Sequence, residues 1–428
     1  MSASFHASLA VDKSVPRPCR LCGTELRRRF ADLGMSPLCE SFLTATQCDR
    51  MEPYFPLRAM VCEQCHLVQL AEYVAPSEIF SDYAYFSSYS PSWVAHAKAY
   101  CTAITKRLGL GPESEIVEIA SNDGYLLQHF LALGIPALGI EPAANVAAVA
   151  IRKGIDTRID FFGTRLARTL VADGRQADLI IGNNVLAQVP DLNDFTAGLA
   201  ILLKPDGVVT LEFPHLQRLI SETQFDTIYH EHFSYFSLLT IERLAARHDL
   251  KIIDVEALPT HGGSLRVYLA RASSVRPQES AVSKLLHEER RFGLERMETY
   301  SAFAARIRRT KRDLLALLIG LRNSGKSICA YGAPGKGNTL LNYCGIGPDF
   351  LDFTVDRNPH KHGRFTPGMH IPILPVSAID AARPDFVLIL PWNLQAEITR
   401  QMRHIAGWGG RFIVPIPTPR IVEPEDIR

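Results

Sequence analysis

Four consecutive side chains, Tyr229, His230, Glu231 and His232, put a phenol, two imidazoles and a carboxylate into one short stretch of a 428-residue chain. Imidazole changes charge near neutral pH, and a neighbouring carboxylate or phenol can orient it or tune its pKa. General acid–base work suits the set. Two other readings stand beside it: a metal site on His230, Glu231 and His232, and a pair of buried structural histidines. Consecutive residues seldom converge on one ion, and the spacing is not the HExxH of a helical zinc site. Thiols make a second cluster. Cys19-Arg-Leu-Cys22 and Cys62-Glu-Gln-Cys65 are two CxxC turns with 39 residues between them. Each turn presents two thiolates to one ion, and two turns complete a closed tetrahedral zinc site that folds a small module. A redox role competes, but the motifs come paired. Cys39 and Cys48 have no partner at metal spacing and read as small buried thiols.

A third stretch, Glu115-Ile-Val-Glu-Ile-Ala-Ser-Asn-Asp-Gly124, joins an apolar, β-branched run to a polar turn and a helix-like Tyr125–Leu133. Strand, turn and helix make half of a βαβ unit, whose turn binds ligands in doubly wound sheets. The next strand, Ala137–Pro142, carries Glu141, 17 residues beyond Gly124, where such folds keep a carboxylate for ribose hydroxyls. There is no GxGxxG, so a pyrophosphate cofactor is not favoured. This combination resembles the S-adenosylmethionine (SAM) site of Rossmann-like methyltransferases. The resemblance implies that Glu118, Ser121, Asn122 and Asp123 line the cofactor pocket, that Gly124 lets the backbone approach it, and that Glu141 takes the ribose. A nucleotide-free turn with a solvated acid is the plain alternative.

The elements that must position these groups read as alternating αβ units. Ile155–Phe162 reads as a strand ending in Asp160, whose carboxylate beside two aromatic rings suits an adenine. Ala177–Val185 is a buried strand ending in Asn183 and Asn184, and Val208–Pro214 is another. Such alternation predicts a mainly parallel sheet with helices on both faces. His261-Gly262-Gly263-Ser264 reads as a tight turn at the same rim. The stretch Phe80–Ser90, with Tyr83, Tyr85 and Ser88, is either a linker with packed aromatics or a lid over a polar substrate.

Residues 277–322 read as long amphipathic helices. Gly320-Leu-Arg-Asn-Ser-Gly-Lys-Ser327 spells the GxxxxGK[ST] phosphate-loop pattern, but a helix precedes it and a strand follows, the reverse of what that loop needs. Tyr331-Gly-Ala-Pro-Gly-Lys-Gly-Asn-Thr339 does follow a strand and open a helix, and Asp356 ends the next strand 19 residues after Gly337. Lys336, Asn338, Asp356, Asn358, Lys361 and Arg364 make this a second Rossmann-like unit that offers amides and cations to phosphates. A degenerate nucleotide fold kept for packing is the alternative.

The length calls for two or three domains. Hydrophobic residues at 47% and charged residues at 21% describe an ordinary globular protein, and the net charge of +1 argues against nucleic acid and membrane surfaces. No window approaches the roughly 20 apolar residues of a membrane span. The first residues lack a basic and an apolar region, and nine cysteines with two CxxC pairs fit a reducing cytoplasm. The fold class is α/β. It comprises a zinc-binding N-terminal module (1–80), a SAM-binding Rossmann-like parallel-sheet domain (81–274), and linker helices with a second Rossmann-like domain (275–428).

Taken together, CxxC…CxxC, EIASNDG, GIEP, NNVLAQVPDLNDF, YHEHFSYFSL, THGGSLRVY and YGAPGKGNTLLNYCGI resemble the sugar C-methyltransferase family of deoxysugar biosynthesis, in order and over nearly the whole chain. The resemblance implies SAM and structural zinc as cofactors. It also implies methylation of the carbon beside the ketone, C3, of a 4-keto sugar linked to dTDP or GDP. His232 would be the base, flanked by Tyr229, Glu231 and Tyr83, with Tyr85, Ser88, Gln188, His261 and Gly262 near the sugar. One departure stands out: the family often has His where this chain has Gln188, which can form hydrogen bonds but not carry a proton. An NAD-linked oxidoreductase using the C-terminal unit, and a zinc-containing binding protein, are the alternatives.

Overall fold

A computed structural model describes residues 17–75 and 86–423. The first CxxC turn precedes a small antiparallel sheet of β1 (Arg28–Ser36), β2 (Phe55–Val61) and β3 (Val68–Leu70), and the second joins β2 to β3. Its fourth strand comes from far along the chain. Residues Ser234–Tyr235 (β9) pair with β3, Val68 opposite Tyr235 and Gln69 opposite Ser234. Arg20 adds a hydrogen bond to the Phe233 carbonyl. The segment that carries His232 is therefore stitched to the thiol module, a pairing that no local pattern announces.

The middle sheet has β4 (Ile116–Ile119), β5 (Ala137–Ile140), β6 (Asp156–Arg158), β7 (Ala177–Asn183), β8 (Leu203–Pro214), β10 (Leu250–Leu258) and β11 (Ser264–Arg271), in the order β10-β11-β8-β7-β4-β5-β6. From β8 to β6 neighbouring strands are parallel, whereas β10 and β11 run antiparallel at one edge. β4 is buried at every position, as a strand covered by helices on both faces must be. The helix Pro91–Leu108 shows why its ends fall where they do: Ser90 caps it, Pro91 opens it, and Gly109 closes it at φ 65°. Two expected elements are shorter than their apolar runs suggest. The helix after Gly124 is Leu127–Leu131, and β6 stops at Arg158. There the Asp160 carboxylate accepts from the Phe161 N–H and from Arg165, which stabilises a loop instead.

Two helices, Ser280–Phe292 and Met297–Asn323, lead to the third sheet. It contains β12 (Ile328–Tyr331), β13 (Thr354–Asp356), β14 (Ile373–Pro375), β15 (Phe386–Ile389), β16 (Arg411–Val414) and β17 (Arg420–Val422), ordered β14-β13-β12-β15-β16-β17, all parallel except β17. The Walker-like letters fall on the end of the long helix and the turn before β12. There the Ser327 N–H and hydroxyl are taken up by Asp385.

One apolar core cluster runs through all three parts, with Phe30 of the thiol module stacked on Phe303 of the long helix at 4.6 Å. Among the described residues no helix is long and apolar enough to cross a membrane.

Candidate active site and metal site

In the N-terminal module the four thiols converge: all Sγ atoms of Cys19, Cys22, Cys62 and Cys65 lie within 4.8 Å of one another. Two sulfur pairs stand at 3.5 Å, Cys19 with Cys65 and Cys22 with Cys62. Four sulfurs around one ion at 2.3 Å would be about 3.8 Å apart, so the set fits tetrahedral zinc. Each knuckle turns tightly, the Gly23 N–H on the Cys19 carbonyl and the His66 N–H on the Cys62 carbonyl. Gln69 donates to Cys19 Sγ at 3.1 Å, the outer-sphere support that thiolate ligands use. Among the described residues this is the one group of His, Cys, Asp and Glu side chains gathered closely enough to hold a metal.

Where the carboxyl ends of β4, β5 and β7 meet, Glu141 holds the turn. Its oxygens accept from the Asn122 and Ala143 N–H groups, both at 2.9 Å. Asn122 sits at φ 50° and Gly124 at φ 76°. A Cβ on Gly124 would stand 2.1 Å from Ile155 Cδ1, so the left-handed conformation favours glycine and a side chain would also have to displace the tip of Ile155. Glu118 is fully buried behind this turn, and burial, followed by the charges of Glu141 and Asp123, holds its carboxyl well above the usual range. Buried Ser121 Oγ, Asp123 Oδ1 and both amide atoms of Asn183 have no hydrogen-bond partner among the described residues. Of these, Asn183 lines the cavity, and its unpaired amide at the end of a parallel sheet is what a polar nucleoside cofactor such as SAM would satisfy.

The turn opens into a cavity of about 750 Å³ between the middle and C-terminal sheets. Asn122, Glu141, Asp160, Asn183 and Asn184 line one side, and Lys336, Asp356, Asn358 and Lys361 line the other. Tyr229, Glu231, His232, Gln188 and His261 lie in the wall between them. Glu118, Ser121, Asp123 and Gly124 stand behind the wall rather than in it. Ser88, Gly262, Asn338 and Arg364 do not line the cavity either. Ser88 accepts from Lys153, while its neighbours Ser87 and Ser90 face inward. Asn338 is consumed by the Cys39 carbonyl at 2.6 Å, Gly262 lies against the Trp392 ring, and Arg364 is exposed. Tyr83 and Tyr85 lie outside the described residues.

The two imidazoles of the acid–base stretch point apart. His230 reaches the Pro56 carbonyl at 3.3 Å and packs between the rings of Phe55 and Tyr73, away from the cavity. The consecutive metal reading is thereby excluded. His232 Nδ1 faces the Thr227 carbonyl at 3.2 Å and Nε2 faces the Tyr229 hydroxyl at 2.9 Å. A carbonyl only accepts, so Nδ1 carries the proton and Nε2 offers its lone pair to the phenol. Burial pushes His232 down to about 3, against the pull of the Thr227 carbonyl, and pushes the Tyr229 phenol well above its ordinary value. His261, at φ 55°, is likewise driven down to about 4 by burial and holds Asn184 Nδ2 at 3.2 Å. Lys336 donates to Asn393 at 2.8 Å and lies over Trp392, whose indole N–H donates to buried Asp226 at 2.6 Å.

Three family models match the chain in order: a zinc-binding domain over residues 19–80, a methyltransferase domain over 93–255 and a C-methyltransferase C-terminal domain over 259–417. The chain is also 35% identical over 407 residues to C-methyltransferase NovU of Streptomyces niveus, covering 95% of this chain and 97% of that one. The chain belongs to the C-methyltransferase family. For a SAM-dependent methyltransferase, the turn between β4 and β5 is the candidate cofactor site and the four converged thiols are the candidate zinc ligands. Solved structures resemble it weakly. The PH0226 protein of Pyrococcus horikoshii OT3 is 14% identical with a TM-score of 0.36, covering 47% of this chain and 99% of that one. SAM-bound magnesium protoporphyrin IX methyltransferase of Synechocystis PCC 6803 is 15% identical with a TM-score of 0.31, covering 42% and 78%. Likeness at that level carries no weight for the methyltransferase's chemistry.

Glu40 and Trp93 are among the cavity residues that sequence reasoning overlooked. Glu40 lies in a loop between the two knuckles, where neither period nor motif marks it. Trp93 lies in the first turn of a helix and reads as ordinary packing, although its ring stacks on His96 and meets His261 edge-on.

Proposed function

We propose that this C-methyltransferase acts on the carbon beside the ketone, C3, of a 4-keto deoxysugar linked to a nucleoside diphosphate, with His232 as proton acceptor. The reading rests on one observation: a neutral imidazole with its Nδ1 proton committed to Thr227 and its Nε2 turned to a cavity-lining phenol. Carbon is a poor nucleophile until a proton next to a carbonyl is removed. The enzyme therefore needs a base, a donor for the enolate oxygen and alignment.

The ketone takes the Tyr229 hydroxyl from Nε2, so the phenol now donates to the carbonyl oxygen. Nε2 accepts the proton from the neighbouring carbon, and the electron pair of that C–H bond moves into the enolate. Tyr229 stays protonated because burial holds its phenol high, so it donates as negative charge grows on oxygen. SAM, when bound, supplies an electrophilic methyl group; carbon–carbon bond formation and carbon–sulfur cleavage leave S-adenosylhomocysteine, and His232 then loses its proton to solvent. Gln188, in the same wall, holds the sugar by hydrogen bonds and takes no part in proton transfer.

The test is a panel of 4-keto sugar nucleotides incubated with methyl-labelled SAM, and in deuterium oxide with S-adenosylhomocysteine. Label transfer and deuterium uptake beside the ketone are expected, both lowered about 10²- to 10⁴-fold in His232→Asn with S-adenosylhomocysteine binding retained. Full turnover by His232→Asn would refute the assignment.

A further inference from the structure

The thiol module sends one loop into the cavity. Glu40 lines it with a side chain 18% exposed, and its Oε2 stands 3.3 Å from the Lys361 ammonium. The loop is held from both sides: the Cys39 carbonyl accepts from Asn338 at 2.6 Å, and the Cys39 thiol donates to Glu231 at 3.6 Å. Lys361 also donates to the Ala333 carbonyl at 2.8 Å. Its charge is thus matched in place, and it is not a free cation for a phosphate. The Asp356 oxygens are occupied by the Ala333 and Asn358 N–H groups. Glu40 Oε2 is shut in beside the Lys361 ammonium, so the oxygen left to face the cavity is Oε1.

A carboxylate is an acceptor only, and a buried one with an open lone pair selects a donor. With Lys361 matched by Glu40, that ammonium does not draw an anionic diphosphate to this end of the cavity, and a neutral or cationic part of the ligand belongs here. We propose that Glu40 is a specificity-determining residue that accepts a hydrogen bond from a hydroxyl or amino substituent of the sugar ring. This rests on the sugar-nucleotide reading above. It also gives the zinc-binding module a part in the substrate site, because the loop that presents Glu40 belongs to that module.

The experiment measures calorimetric binding and KM for three 4-keto sugar nucleotides that differ at one ring position: hydroxyl, amino and deoxy. Glu40→Gln is compared with Glu40→Ala/Lys361→Met, which avoids leaving the ammonium unpaired; zinc content and S-adenosylhomocysteine affinity report folding. For a hydroxyl reader, the double variant weakens the hydroxylated sugar by about 10- to 100-fold and the deoxy sugar by less than about 3-fold, while Glu40→Gln does little. For an amino reader, Glu40→Gln alone weakens the amino sugar about 10-fold or more, because the charge is lost. Equal penalties on all three sugars, or none, would overturn the assignment. Binding that depends on Glu40 in an enzyme that exchanges no hydrogen beside any ketone would overturn the substrate reading and leave Glu40 as the donor-reading residue.

Discussion

A buried neutral histidine makes an unusual demand on the pH profile. An imidazole with the ordinary pKa of 6.5 would be only about one-thirtieth neutral at pH 5.0, and kcat/KM would fall with it. His232 is held down to about 3 by burial, with its Nδ1 proton already engaged by Thr227. The sign follows from the base form being the neutral one. A lowered pKa keeps that form populated as pH drops, so this residue cuts activity only below about pH 3. The assay is deuterium uptake beside the ketone, as kcat/KM between pH 5.0 and 8.0, in wild type and in Asp226→Asn. Asp226 is pushed up to about 6 by burial, opposed by Lys336 and the Trp392 indole, so a limb from Asp226 disappears in that variant. The expected outcome for Asp226→Asn is a flat profile. A limb of unit slope with an apparent pKa near 6.5 in both enzymes would mean that His232 is solvated in the free enzyme, and would refute the acceptor geometry argued here.

Gly124→Ala is expected to weaken S-adenosylhomocysteine binding about 10-fold or more, since φ 76° and the collision with Ile155 both oppose a Cβ; unchanged affinity by calorimetry would remove this turn from the cofactor site. Zinc should be present at about one ion per chain, as four converged thiols imply. Its removal by a chelator is expected to abolish sugar-nucleotide binding while S-adenosylhomocysteine still binds, because β3 anchors β9 and the zinc module carries Glu40. Equal loss of both ligands, followed by calorimetry and zinc analysis, would show that the module supports the cofactor half as well.

Much of this protein is written locally. Two CxxC turns announce a metal because each turn fixes its pair of sulfurs with backbone hydrogen bonds of its own. The strand–turn–helix at Ile116–Gly124 and the acid at Glu141 are legible because sheet periodicity, a polar turn and a fixed offset are all short-range. The Walker-like letters at Gly320–Ser327 could be set aside for the same reason, their flanking elements being in the wrong order.

What the chain alone could not decide was direction and company. His230 and His232 are two residues apart and chemically identical, yet one packs on Phe55 and Tyr73 and the other faces the cavity. The choice is made by the Thr227 and Pro56 carbonyls, groups outside the motif. Ser87 rather than Ser88 faces inward, and Lys361, which reads as a phosphate-binding cation, is matched by a carboxylate more than three hundred residues earlier. The sequence determines which side chains exist and which local turns they close. Burial, pairing and the sharing of one cavity by three sheets depend on contacts between distant segments, so only the tertiary structure decides which of those side chains meet.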